Sequence, residues 1–176
     1  MHANGVEDLN SENFSVLRLR RQAGNQYSYV GGILTNRTDF DGTNNSSYGL
    51  DGIFRVKGVD YLTIKMAQTF ATNAENNPLS LNPTRLFLDW ERRSTDGMIY
   101  KFTYSRSGKD YDPGMGFELR GNTSNLNAQV GYGKIMGEKS KLLNWKFLFE
   151  GSSFVNNSSD SLETLRLTPR IDFQTK

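Results

Sequence analysis

Apolar and polar residues alternate with period two through most of the chain, the spacing that sends successive side chains to opposite faces of a β-strand. Nine segments carry it, at 13–21, 27–36, 47–57, 60–70, 84–93, 98–106, 123–133, 142–151 and 163–174, and helical spacing is nearly absent. In the fourth, Leu62, Ile64, Met66 and Phe70 alternate with Tyr61, Thr63 and Lys65; in the fifth, Leu86, Leu88 and Trp90 alternate with Arg85, Asp89, Glu91 and Arg93. The sixth sets Met98, Tyr100, Phe102 and Tyr104 against Lys101 and Thr103, and the eighth sets Leu143, Trp145, Phe147 and Phe149 against Lys146 and Glu150. The third opposes Leu50 and Phe54 to Asp51, Arg55 and Lys57, and the ninth opposes Leu165, Leu167 and Ile171 to Arg166 and Arg170. The second, YSYVGGILTN, is about equally apolar on both faces and offers no orientation.

The connections carry a second pattern. Short turns follow the first, third and fifth segments (AGN, GVD, STDG), whereas Asn/Ser/Gly-rich stretches at 37–47, 71–83, 107–116 and 152–161 follow the second, fourth, sixth and eighth. KIMGEKSK at 134–141 is longer than this rule asks. Strands of about 9 to 11 residues with the long loops gathered at one end are the habit of outer-membrane barrels. The expected fold is all-β: an antiparallel up-and-down meander of about nine strands, forming a transmembrane β-barrel or a segment of a larger one. A disordered tail is expected at 1–12 and a single partial barrel domain at 13–176. A soluble calycin-like barrel binding a small apolar ligand would show the same alternation with its polar faces outward. Aromatic residues near strand ends and mixed charges on the opposite faces favour the membrane form. On that reading Trp90, Tyr100, Phe102, Tyr104, Trp145, Phe147 and Phe149 face lipid. Arg55, Lys57, Lys65, Arg85, Asp89, Glu91, Lys101, Arg166 and Arg170 face the lumen.

Composition narrows the chemistry. Among 176 residues, Lys+Arg number 21 against Asp+Glu 19, which leaves no large basic footprint for nucleic acid. There is no Cys, and the one His is His2, so disulfides, thiolate metal sites and a Ser/His triad are all excluded. No run of 18 apolar residues provides a helical span, and MHANGVEDLN has no apolar core of a signal peptide, so the chain is either cytoplasmic or a piece of a longer secreted one. Asp89 and Glu91 stand two apart on one face, and paired carboxylates can do acid–base work on glycosidic bonds. The favoured expectation is an ion-pair network with Arg85 and Arg93, and no enzymatic activity or cofactor. The oxygen-rich stretch Asp39–Asn44 lacks calcium-loop spacing and reads as a turn, as does Asp110–Gly114. The basic residues Arg18, Arg20, Arg55, Lys57, Lys65, Lys101, Arg166 and Arg170 outnumber acidic partners on their faces. They would either select anions and acidic glycans or, as favoured, pair across strands and plug the lumen.

The stretches FSVLRLRR (14–21), YVGGILTNRTDF (29–40), YGLDGIFRV (48–56), DYDPGMGFELRGN (110–122) and VGYG (130–133) resemble the barrel part of the DUF5916 proteins. Those are Bacteroidetes-type outer-membrane proteins in which a carbohydrate-binding family 9-like domain precedes a C-terminal barrel. The most specific piece is D-P-x-x-G-F-x-x-R, here Asp112, Pro113, Gly116, Phe117 and Arg120. The resemblance implies a bacterial outer-membrane location, a structural or transport-related role, and a segment of a larger barrel. It carries over no catalytic residue, and the carbohydrate-binding domain has no counterpart here, so glycan contact rests on resemblance only. An odd strand count and an ending, DFQTK, without a terminal aromatic agree with a segment. Its open edges would need further strands or a second copy. In water without detergent the chain is expected not to give a sharp monomeric peak on size exclusion.

Overall fold

The computed structural model describes residues 11–72, 74, 76–116, 118 and 120–176; most of the expected tail, His2 and Phe117 lie outside the described residues. The strands are β1 (Glu12–Gln22), β2 (Tyr29–Asp39), β3 (Asn44–Lys57), β4 (Asp60–Ala71), β5 (Thr84–Arg92), β6 (Gly97–Ser107), β7 (Thr123–Ile135), β8 (Leu142–Asn156) and β9 (Leu162–Thr175). They form one all-β sheet in sequence order, each strand antiparallel to the next, and the sheet does not close: β1 and β9 keep free edges. Glu12, at the end of the expected tail, already belongs to β1, where Arg37 of β2 donates to its two carboxylate oxygens at 2.6 and 3.0 Å.

Two of the four connections expected to be long are short. Strands β2 and β3 run on to a four-residue turn at 40–43, where the Asp39 N–H donates to the Thr43 carbonyl at 2.9 Å and Gly42 takes φ 83°. The polar residues that read as loop are strand residues whose side chains bond laterally. Asn36 donates to the Ser46 hydroxyl at 2.8 Å and Asn44 to that of Thr38 at 3.0 Å. Likewise β8 extends to Asn156, leaving 157–161 as its turn. The long connections are 72–83 and 108–122, both at the end of the sheet opposite the turns 23–28, 58–59, 93–96 and 136–141.

The register fixes which residues share a face. One row runs Arg20, Gly31, Asp51, Lys65, Phe87, Ser105, Asn125, Phe154 across β1 to β8. On the other side, Phe54, Leu62, Trp90, Phe102, Ala128, Gly151 and Leu167 form a row across β3 to β9. The second strand is thereby oriented, with Val30, Gly32 and Leu34 on the apolar side and Tyr29, Gly31 and Ile33 on the polar one. A bulge between Arg55 and Lys57 sets Lys57 opposite Asp60, out of the row that Arg55 shares with Tyr61.

Burial runs opposite to that of a water-soluble sheet. Asp89 and Thr103, on the polar face, are 4% and 8% exposed, whereas Trp90, Phe147 and Ile171, on the apolar face, are 49%, 46% and 68% exposed. Strands make their substantial contacts only with sequence neighbours, so no second layer causes this difference. It comes from curvature that makes the polar face concave. The buried hydrophobic residues, Ile99 and Leu148, lie on that same concave face, flanking Gly131 in one row. Leu148 occupies the space a side chain at 131 would need: an added Cβ would sit 2.7 Å from its Cδ2 and closer still to the Phe147 carbonyl oxygen. Because backbone cannot yield as a flexible side chain can, Gly131→Ala is expected to lower stability by about 2 kcal/mol. Gly137→Ala, where an added Cβ meets nothing within 4 Å, is expected to leave the urea midpoint unchanged.

Candidate functional site

The concave face gathers the charged residues, and their pairing differs from strand to strand. Arg18 of β1 reaches across β2 to Asp51 of β3, at 2.5 and 2.8 Å. It passes over Gly31, where a Cβ would stand 3.0 Å from the guanidinium and 3.1 Å from the carboxylate. Asp89 accepts from the Thr103 hydroxyl at 2.5 Å with the Lys101 ammonium 3.5 Å away; Glu91 accepts from Lys101 at 3.1 Å and from Arg93 at 2.6 Å. The carboxylate pair thus sits in an ion-pair network, as its spacing suggested. Its second cation is Lys101, however, and not Arg85, which turns toward the loop end of the sheet and donates to Glu118 at 2.9 Å. Arg170 bridges Glu150 at 3.0 Å and Asp172 at 3.2 Å.

Other basic residues do not pair with carboxylates. Among the described residues Arg20, Arg55, Lys57, Lys65 and Arg166 have no carboxylate oxygen within 4 Å. Arg20 stacks 3.4 Å over the Tyr29 ring, and Lys65 stands 5.3 Å from that of Phe87. Arg55 lies 4.2 Å over Tyr27 and donates to the Gly58 carbonyl, and Arg166 donates to the Thr168 hydroxyl at 3.3 Å. Cross-strand pairing of the basic face therefore holds for Arg18, Lys101 and Arg170 and not for the rest.

The two long loops go to opposite sides. Loop 72–83 caps the apolar face, where buried Gln68 donates to the Asn77 carbonyl at 2.9 Å and buried Thr84 to that of Ser80 at 2.9 Å. Loop 108–122 folds inward instead, over strands β3 to β5. Asn45 donates to the Asp112 carbonyl at 3.0 Å and accepts from the Gly114 N–H at 3.1 Å, while Glu118 meets Arg85. An added Cβ at Gly114 would lie 2.8 Å from the Asn45 amide, so this close approach requires glycine. Burial, reinforced by the negative charge of Glu118 and opposed by Arg85, raises the Tyr111 hydroxyl pKa above its ordinary value. The D-P-x-x-G-F-x-x-R stretch belongs to this inward loop. Alternation gave no sign of its docking, since Glu118 and Asn45 lie outside any apolar pattern; the Pro113-Gly114 bend was the only available cue.

On the convex face all seven aromatic residues expected there lie together on the apolar side, in rows set by the register. Aromatic pairs mark both margins. Tyr48 stacks on Phe70 at 5.6 Å at the loop end, while Trp90 meets Tyr100 at 5.4 Å and Tyr132 meets Trp145 at 6.3 Å toward the turns. Comparison with family models, with curated proteins and with solved structures gives no match to this chain.

Among the described residues, Asn45 makes the two hydrogen bonds between β3 and the inward loop. Asn45→Ala is expected to raise amide hydrogen exchange at Gly114 about tenfold or more, the loss of one part-buried hydrogen-bonding group being worth on the order of 1–3 kcal/mol. Exchange in the core of β7 and β8 should stay unchanged.

Proposed function

We propose that this chain is a segment of a bacterial outer-membrane β-barrel with a structural or transport-related role, its apolar face set in lipid and its polar face lining the lumen. The observation that carries this reading is the inverted burial in the middle of the sheet: large aliphatic and aromatic side chains exposed on the convex face, Thr63, Asp89, Thr103 and Asn125 buried on the concave one. In water so wide an apolar surface is a liability, whereas in a bilayer it is what a spanning strand presents. From Met98 to Tyr104 the unbroken apolar stripe of β6 extends about 20 Å along the strand at about 3.3 Å per residue, approaching the height of the hydrophobic band of such barrels. Its aromatic margins match the interfacial girdles. A soluble calycin-like barrel would need the apolar stripe on the concave side, around its ligand. The resemblance to DUF5916 barrels points to the same membrane and leaves any part in carbohydrate handling as an extension of that likeness.

The free edges bear on partners. Strands β1 and β9 both run from the loop end to the turn end, so a second copy inserted in the same direction would meet this one in a parallel seam. An odd number of further antiparallel strands, the rest of a larger barrel, would complete it without one. The experiment uses Trp90 and Trp145, both on the apolar side. In reconstituted vesicles brominated acyl chains are expected to quench their fluorescence strongly and aqueous acrylamide weakly. Quenching by acrylamide alone, or by neither, would overturn the membrane reading.

A further inference from the structure

We propose that the concave face holds a binding site for a small oxyanion, a carboxylate or phosphate group carried on a body of about sugar size, with Lys65 as its principal anchor. The site is a cavity of about 530 Å³ between β1 and β5, lined among others by Arg18, Asp51, Lys65, Arg85 and Phe87. That volume lies in the range of small-molecule sites. Strands β3 and β4 leave room for it by carrying Gly49 and Ala67, which line it; a Cβ at Gly49 would stand 2.9 Å from the Ile33 side chain.

The charges in this cavity do not cancel. Three cations line it with a single carboxylate, and Asp51 is committed on both oxygens to Arg18. Arg85 gives one N–H to Glu118, a loop residue outside this cavity, and keeps the rest of its five-donor fork. Lys65 has no carboxylate within 4 Å among the described residues and no hydrogen bond there; its ammonium stands 5.3 Å from the ring of Phe87, and Asp51, already held by Arg18, lies opposite it in the register. Elsewhere on the same face Lys101 has Asp89 and Glu91, and Arg170 has Glu150 and Asp172, while Arg166 meets only the Thr168 hydroxyl. Between β1 and β5 the surplus cation lines a cavity. An ammonium with free donors in a concave site beside a guanidinium fork is the arrangement that takes an oxyanion by charge-assisted hydrogen bonds. The adjacent Phe87 ring offers an apolar wall to the body that carries it.

The inference deepens the barrel reading, in which this cavity opens to the lumen, but its test is separate from lipid quenching. The full chain in detergent micelles is titrated calorimetrically with inorganic phosphate and with glucuronate at fixed ionic strength, with chloride and glucose as controls. Wild type should bind an oxyanion in preference to chloride and glucose. Lys65→Met should weaken that binding about tenfold or more, as loss of a charged hydrogen bond implies. Lys65→Arg should retain it and show that the substituted site still folds. Arg166→Met, which removes an unpaired cation of the same face outside the cavity, should bind as wild type does. Phosphate bound more tightly than glucuronate identifies a phosphate ligand, and the reverse order an acidic sugar; either order upholds the site. Absence of oxyanion binding above the controls, or equal loss in Lys65→Met and Arg166→Met, overturns it.

Discussion

Every strand of this protein finds its backbone partners in the strands next to it in sequence, and among the described residues no strand is stacked on another. A sheet in a single layer has no opposing layer against which to bury a face. It can satisfy its backbone only laterally and shield side chains only by bending. In the middle of the sheet one face therefore lies in a concavity and the other outward, while the edge strands β1 and β9 are exposed on both faces along most of their length. The choice of which residues go where follows from alternation, and here alternation sends the polar set inward. Among the described residues, the small apolar plug of Ile99 and Leu148, seated around Gly131, is where hydrophobic burial of the ordinary kind contributes to the concave side.

Enclosing charges has a desolvation cost that pairing must offset. Between β5 and β9 the offset is built from cross-strand pairs and from hydroxyl and amide donors, as in Thr103 on Asp89 and Gln129 on Glu150, the latter at 3.0 Å. Between β1 and β5 the means differ. Arg18 spans two strands to reach its carboxylate, which β2 permits by having glycine beneath the pair, and aromatic rings take up Arg20 and Lys65. Cation–ring contacts stabilise a charge without neutralising it. The two halves of the face thus hold their cations by different means although their fold is the same.

Strand positions were legible because each strand is half apolar. The outward row of β8, Trp145, Phe147 and Phe149, announces itself without any knowledge of its neighbours. What alternation could not supply came from lateral context. The YVGGIL run of β2 is apolar on both sides, and only its register with Leu17 and Leu19 of β1 and Tyr48 and Leu50 of β3 assigns its faces. Asn44, Asn45 and Ser46 read as loop residues because their strand propensity is low. They are strand residues because side-chain hydrogen bonds with Asn36 and Thr38 extend the hairpin beyond its apolar part. The partner of Arg85 was missed for a related reason: Glu118 is distant in sequence, and its approach depends on how a loop folds.

That loop gives the sheet its longest-range tie. The Gly114–Asn45 hydrogen bond joins residues 69 apart, whereas strand pairing proceeds hairpin by hairpin along the chain. Hairpins close quickly because little chain entropy is lost, and contacts between distant segments must await them. Asn45, Thr69 and Arg85 occupy one end of three successive strands, and the loop that returns to them joins β6 to β7. Docking of the inward loop is thus a closing event of assembly, a latch that registers the correct order of five strands at once, and a chain with one of those hairpins out of step would have nowhere to set it.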